Sequence, residues 1–187
     1  MLNKQEKILL VGANLWVLGD GMLGPLFAVF SERIGGNIID ITWAWAVYLG
    51  VTGIGIILVG KWSDHIGKEW LLLGGYALTA LFTFGYLLVR EPIDLLIVQI
   101  GLGIALAFSQ PTWYALYGRY SHNQDEADGY SWGIATGLSY VIAGGALLIG
   151  GFIVSNYSFK VLFITMGCVQ ILATLYQAKI LKYRMKN

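Results

Sequence analysis

The chain has one cysteine, three prolines and two histidines among 187 residues, and only 12% of it is charged. A lone cysteine, Cys168, excludes a disulfide framework and a cysteine metal site, and reads as a small packing residue in an apolar run. His122 stands with Asp125, Glu126 and Asp128 in a polar joint, where a solvated turn accounts for them, and His65 lies in another. No Ser/His/Asp or Cys/His grouping and no phosphate loop occurs, so an enzyme, a metal centre or a bound cofactor is not expected. Neither sign of charge dominates: 12 Lys and Arg against 11 Asp and Glu leave a net charge of +1. There is no basic face for nucleic acid. No polar segment is long enough for a separate soluble domain.

What is abundant is apolar surface and glycine. Apolar residues make up 57% of the chain and mean hydropathy is +0.66, against roughly 45–50% apolar in soluble domains. The chain belongs in lipid. Its 25 glycines are nearly twice the usual ~7%, a level that suits membrane helices whose backbones approach closely. Apolar stretches of the ~17–25 residues needed to cross hydrocarbon occur six times, at about 8–30, 41–59, 70–89, 93–116, 130–154 and 159–178. They predict an all-α integral membrane protein forming a single six-span unit. The first stretch is too long for a signal peptide and carries Asp20 and Pro25.

Lys and Arg set the orientation, because they accumulate on the cytoplasmic side. With both termini cytoplasmic, nine of them (Lys4, Lys7, Lys61, Lys68, Arg119, Lys179, Lys182, Arg184 and Lys186) lie inside, and three (Arg33, Arg90 and Lys160) outside. The expected location is therefore the cell membrane, with Trp43, Trp45, Trp62, Trp70, Tyr157 and Phe159 as interfacial anchors.

The densest run of charge, G-K-W-S-D-H-I-G-K-E-W at 60–70, falls in the cytoplasmic joint between the second and third spans. Gly60, Asp64, Gly67 and Lys68 stand there as G-x-x-x-D-x-x-G-[RK]. With six spans and this orientation, the chain resembles one half of a major facilitator superfamily transporter. The resemblance implies a major-facilitator-like half bundle, secondary transport by alternating access, and a latch on the cytoplasmic side formed by Asp64 and Lys68. The glycines at both ends would let the chain reverse in a tight turn. Arg119, at the end of the fourth span, is the nearest cation by topology for the Asp64 carboxylate, and a solvated turn is the plainer alternative.

Two motifs depart from the family. Aligning Gly103 and Pro111 with the R-x-x-x-G-x-G of proton-coupled members puts Gln99 in the arginine's place, and the antiporter G-P-x-x-G-G is replaced by A-L-L-I-G-G at 146–151. Both argue against proton-driven drug export and leave the fold untouched. The usual member also has two six-span halves around a midplane site. Two copies of this chain side by side reproduce that arrangement, so a parallel homodimer is expected. A separately encoded second half or a longer carrier is the alternative.

Asp20 is the one ionisable residue well inside a span, where a charge costs about 2.5–3.5 kcal/mol on insertion scales and usually marks an ion or solute path. At 100° per residue it shares a face with Ala13, Trp16, Leu23, Gly24 and Phe27. In the fourth span Gln99, Gly103, Leu106, Gln110, Trp113 and Tyr117 form a second stripe. The resemblance implies that spans one and four line the central cavity. The expected solute site is Asp20, Trp16, Gln99, Gln110, Trp113 and Tyr117, suited to a small polar or cationic molecule. A structural carboxylate and a helix-to-helix glue of glutamines are the plainer readings. Pro25 and Pro111 are expected as hinge or packing positions. Gly133, Gly137, Gly144 and Gly145 are expected as packing glycines in span five, with Gly133 and Gly137 at a helix contact or the dimer seam. The rival from another class is a membrane assembly or sensory subunit that carries nothing, which predicts a closed unit with no path past Asp20.

Overall fold

Polar side chains placed just ahead of apolar runs start the helices. Asn3 and Glu6 form a reciprocal cap on the first helix, the Asn3 side chain accepting from the Glu6 N–H at 2.8 Å. Asn37 accepts from the N–H groups of Ile39 and Asp40, at 2.8 and 3.3 Å, and Ser158 from that of Val161 at 3.3 Å. Asp94 takes the backbone N–H groups of Arg90 and Glu91, at 2.9 and 3.2 Å. Each satisfies donors that a helix start leaves without partners.

The computed structural model describes residues 3–121 and 128–183, with Trp62, Asp64, His65 and Asp128 described in backbone only. The expected His122, Asp125 and Glu126 joint, Arg184 and Lys186 lie outside the described residues. Seven α-helices follow: α1 (Lys4–Gly21), α2 (Leu26–Arg33), α3 (Ile38–Ile66), α4 (Lys68–Gly85), α5 (Pro92–Ser121), α6 (Asp128–Asn156) and α7 (Phe159–Gln177). Short 3₁₀ turns follow α4 (Tyr86–Leu88) and α7 (Ala178–Tyr183). No strand occurs among the described residues. Five helices are long and apolar enough to cross a membrane, and α1 with α2 makes a sixth span bent by 41°. The protein is an all-α, multi-pass membrane protein.

The course of the helices differs from the sequence-based expectation at three places. The first span is broken, because Gly24 has a left-handed φ of +29° and Pro25, standing as N-cap of α2, cannot donate the next helical hydrogen bond. The second span continues through the charged run to Ile66, so Gly60 is inside α3 and not at a turn. Nothing in K-W-S-D-H-I breaks a helix, and the chain reverses at Gly67 alone, with φ +94° and ψ +118°. Pro111 interrupts nothing: α5 runs through it. Hydroxyls attend the carbonyls around it, the Thr112 O–H donating to Phe108 O at 2.7 Å and the Ser109 O–H to Ala105 O at 3.1 Å.

Packing runs around an incomplete ring in the order α3, α5, α4, α7, α1, α6. The two sets of three, α1/α3/α4 and α5/α6/α7, mirror each other: α3 lies on α5, and α6 lies on α1. The ring is open between α3 and α6, and α1 and α5 form the floor of the gap. At one end Asn3 donates to Tyr120 O at 2.6 Å and the Tyr120 hydroxyl to Tyr183 O at 3.4 Å. That end therefore gathers the start of α1, the end of α5 and the close of the chain. The far end holds an aromatic core in which the Phe163 ring lies 4.8 Å from both Phe30 and Tyr86.

Backbones touch where glycine permits. A Cβ on Gly75 would lie 2.7 Å from Ala105 O and Ser109 N on α5, and one on Gly150 would strike Met22 O. On α1, Gly12 and Gly19 face Gln177 and Gln170 of α7, seven residues apart on both helices. These two glutamines are wholly buried and their amides have no hydrogen-bond partner among the described residues. By contrast, a Cβ added at Gly133, Gly137, Gly144 or Gly145 would meet no atom within 4 Å. The expected packing glycines of span five pack against nothing among the described residues, because α6 meets only α1 closely and they lie on its other faces.

Candidate functional site

Two clefts open into the gap between α3 and α6. The smaller, about 210 Å³, is lined by Trp16, Asp20, Leu23, Gly24, Phe27, Trp45, Tyr48, Thr79, Tyr86 and Gln99, among others. The larger, about 580 Å³ and nearer the terminal end, is lined by Ala13, Trp16, Tyr76, Ser109, Gln110, Trp113, Tyr114, Trp132, Thr136, Ser139 and Tyr140, among others. Six aromatic rings face the larger cleft, and no charged side chain among the described residues does.

Asp20 occupies the last turn of α1, one residue before the break. It is exposed to the cleft, and its side chain makes no hydrogen bond or ion pair among the described residues. The position is electrostatically unfavourable for an anion, since a helix C-terminus carries partial negative charge. A carboxylate there, without a protein cation beside it, favours a positively charged occupant. Around it Trp45, Tyr48 and Tyr86 present ring faces and edges, and Gln99, nearly buried, presents its amide.

The structure thus places Asp20, Trp16 and Gln99 on one cleft and Trp16, Gln110 and Trp113 on the other. The helical face read around Asp20 is found there too, with Leu23, Gly24 and Phe27 on the small cleft and Ala13 on the large one. Tyr117 is in neither. It is fully buried, its hydroxyl within 2.9 Å of Ser131 O and 2.7 Å of Ser131 Oγ, and its ring is stacked on Trp113 at 4.9 Å. At the terminal end of α5 the stripe has turned from the gap into the contact with α6. Tyr117→Phe is accordingly expected to cost about 1 kcal/mol of stability, the ordinary net worth of a hydrogen bond, and to leave ligand affinity unchanged. Thermal unfolding and equilibrium binding on the same preparation check it, and a loss of affinity would return Tyr117 to the site.

Of the expected latch, Gly67 makes the turn, Lys68 opens α4 and Arg119 is exposed near the end of α5. The side chain of Asp64, and with it the expected pairing to Arg119, lies outside the described residues.

Sequence reasoning missed the α6 wall of both clefts. Trp132, Thr136, Ser139, Ala143 and Leu147 recur on α6 at four, three, four and four residues, a polar and aromatic stripe legible beside the glycines. Asn14 was missed too: it is buried on α1, bonds Leu10 O at 2.8 Å, and accepts from the Ser139 hydroxyl at 3.3 Å, tying α1 to α6.

The sequence profile of the Major Facilitator Superfamily matches residues 9–184. The chain belongs to the Major Facilitator Superfamily. Among curated proteins it is 24% identical over 171 residues to the multidrug resistance protein MdtG of Escherichia fergusonii, covering 89% of this chain and 41% of that relative. The match to MdtG of Escherichia coli is similar, 24% over 168 residues, covering 88% and 41%. An uncharacterized MFS-type transporter, MJ1560, of Methanocaldococcus jannaschii is 26% identical over 110 residues, covering 59% of this chain and 28% of its own. The chain thus spans less than half the length of the relatives it matches. The mirrored threes around an open gap are what one superfamily half, built of two inverted three-helix repeats, presents.

Proposed function

We propose that this chain is one half of a solute carrier of the Major Facilitator Superfamily, and that its working form pairs two six-helix units across the gap between α3 and α6 in a parallel homodimer. The unit carries a small polar or cationic solute with aromatic character by alternating access. The observation that carries this reading is Asp20: an accessible carboxylate, with no hydrogen bond or ion pair among the described residues, on a cleft open between α3 and α6 in a chain that spans less than half the length of the relatives it matches. An assembly subunit that carries nothing would not keep such a group in an open cleft within the membrane.

The pairing rests on surfaces. Only 11% of the apolar window of α3, and 11% of that of α6, is buried inside the chain, against 39–44% for α4, α5 and α7. The open glycines of α6 would let a second backbone approach closely. Identical units with termini on one side make an isologous twofold contact. The Lys and Arg bias puts those termini in the cytoplasm of the cell membrane, where the turn at Gly67, with Asp64 and Lys68 flanking it in sequence, acts as the latch that its motif resembles.

The first test is the mass of the purified particle without its detergent. Twice the 20.5 kDa of one chain is expected, and a single-chain mass ends the homodimer. Gly137→Leu adds a side chain into space that this chain does not fill, so helix content should be unchanged while the particle falls to one chain. Uptake of an aromatic quaternary ammonium into proteoliposomes tests transport itself; no uptake by a paired particle counts against the carrier.

A further inference from the structure

The two clefts meet at three residues, one from each of three helices: Trp16 of α1, Leu106 of α5 and Ala143 of α6 line both. Their chemistry differs on either side. Toward the far end lie the Asp20 carboxylate and the Gln99 amide among the rings of Phe27, Trp45, Tyr48 and Tyr86, and toward the terminal end lie rings, hydroxyls and the Gln110 amide, with no charged side chain among the described residues. The Trp16 ring is braced against Tyr76, with centroids 6.0 Å apart and planes 26° from parallel. Its indole N–H is buried and has no hydrogen-bond partner among the described residues, whereas the Trp113 indole N–H donates to Leu9 O at 3.3 Å.

We propose that Trp16, closed from the opposite walls by Leu106 and Ala143, is a neck that divides the solute path into a charge-selecting chamber and an aromatic chamber, and that it sets which solutes pass between them. This deepens the carrier reading and rests on a second unit covering the gap, since in one unit both clefts open sideways. Asp20 and Trp16 are four residues apart on one helix, about 6 Å along its axis. A solute with its positive group at Asp20 therefore lays its next few atoms across the indole, where a ring can stack. Solutes whose charge and aromatic body are separated by about that distance satisfy both chambers at once, and shorter cations satisfy only the first. Trp16 is a positioning and specificity-determining residue here, acting through shape.

The test uses accessibility, which does not require turnover. In a Cys168→Ala background, Thr136→Cys and Leu147→Cys place single thiols on the same face of α6, one in each chamber. Sealed vesicles are treated with a bulky membrane-impermeant thiol reagent from one face at a time. Position 136 is expected to react at least tenfold faster from one face and position 147 at least tenfold faster from the other. Trp16→Ala should raise the rate at position 147, from the face that serves position 136, by at least tenfold, whereas Trp16→Phe should leave both rates as they were. If Trp16→Ala fails to assemble, Leu106→Ala opens the neck from α5 and is read in the same way. A paired particle whose rates Trp16→Ala and Leu106→Ala leave within twofold overturns the neck alone. A single-chain particle, with both positions equally reactive from either face before any substitution at the neck, overturns the neck and the pairing together.

Discussion

Asp20→Asn is expected to weaken binding of an aromatic quaternary ammonium by about 10- to 100-fold, to abolish its concentrative uptake, and to leave the protein at least as stable as before. The affinity change follows from losing a charge-based contact worth about 1.5–3 kcal/mol, where each 1.4 kcal/mol is a factor of ten. The stability change has the opposite sign for a physical reason. Asp20 makes no hydrogen bond or ion pair among the described residues, so the substitution breaks no contact within the fold. It removes a charge from a membrane span, where that charge is costly, and from the negative end of α1. A residue that is structural loses stability when neutralised; one kept for a ligand loses binding and gains stability. Isothermal binding of the quaternary ammonium and of its neutral carbon isostere, with thermal unfolding alongside, separates the two. Equal weakening for both ligands would mean that Asp20 shapes the cleft without selecting charge. Unchanged affinity for the cation would remove it from the site.

How much of this was legible beforehand depends on whether a feature is a property of one helix or of two. The spans, the G-x-x-x-D-x-x-G-[RK] run and the face around Asp20 are each written along a single segment, and the structure finds the helices and that face where periodicity places them. The break after Gly21 was half legible: Pro25 announces it, but the left-handed Gly24 that completes it cannot be told from other glycines. Gly60 misled because a glycine bounding a charged run reads as a turn, whereas α3 is about 43 Å long at 1.5 Å per residue and simply emerges from the hydrocarbon still helical. Tyr117 misled because a stripe continued at constant angle along α5 leaves the gap where the start of α6 sets Ser131 and Trp132 against it. The buried amides of Gln170 and Gln177 fit between α1 and α7 through a shared spacing of seven, a fact about two helices that neither segment declares alone.

Adjacent glycines make the same point in a form that mutation can measure. Gly74 and Gly75 are indistinguishable in sequence. A methyl on Gly74 meets nothing within 4 Å, while one on Gly75 lies 2.7 Å from the backbone of α5 at Ala105 O and Ser109 N and from Ser109 Cβ. Two of those atoms belong to the helix backbone and cannot swing aside, so α4 and α5, the most extensively packed pair in the fold together with α3 and α5, must separate. Gly75→Ala is expected to destabilise by about 1–3 kcal/mol, as overpacking in a close-fitted core does, and Gly75→Leu to prevent recovery of folded protein. Gly74→Ala should be neutral or stabilise by about 0.5–1 kcal/mol, through the lower conformational freedom of alanine in a helix. Unfolding of the two alanine variants in the same detergent decides the matter. Equal effects at both positions would mean that α4 is rotated about its axis from the orientation described, and with it Tyr76 and Thr79, which α4 contributes one to each cleft.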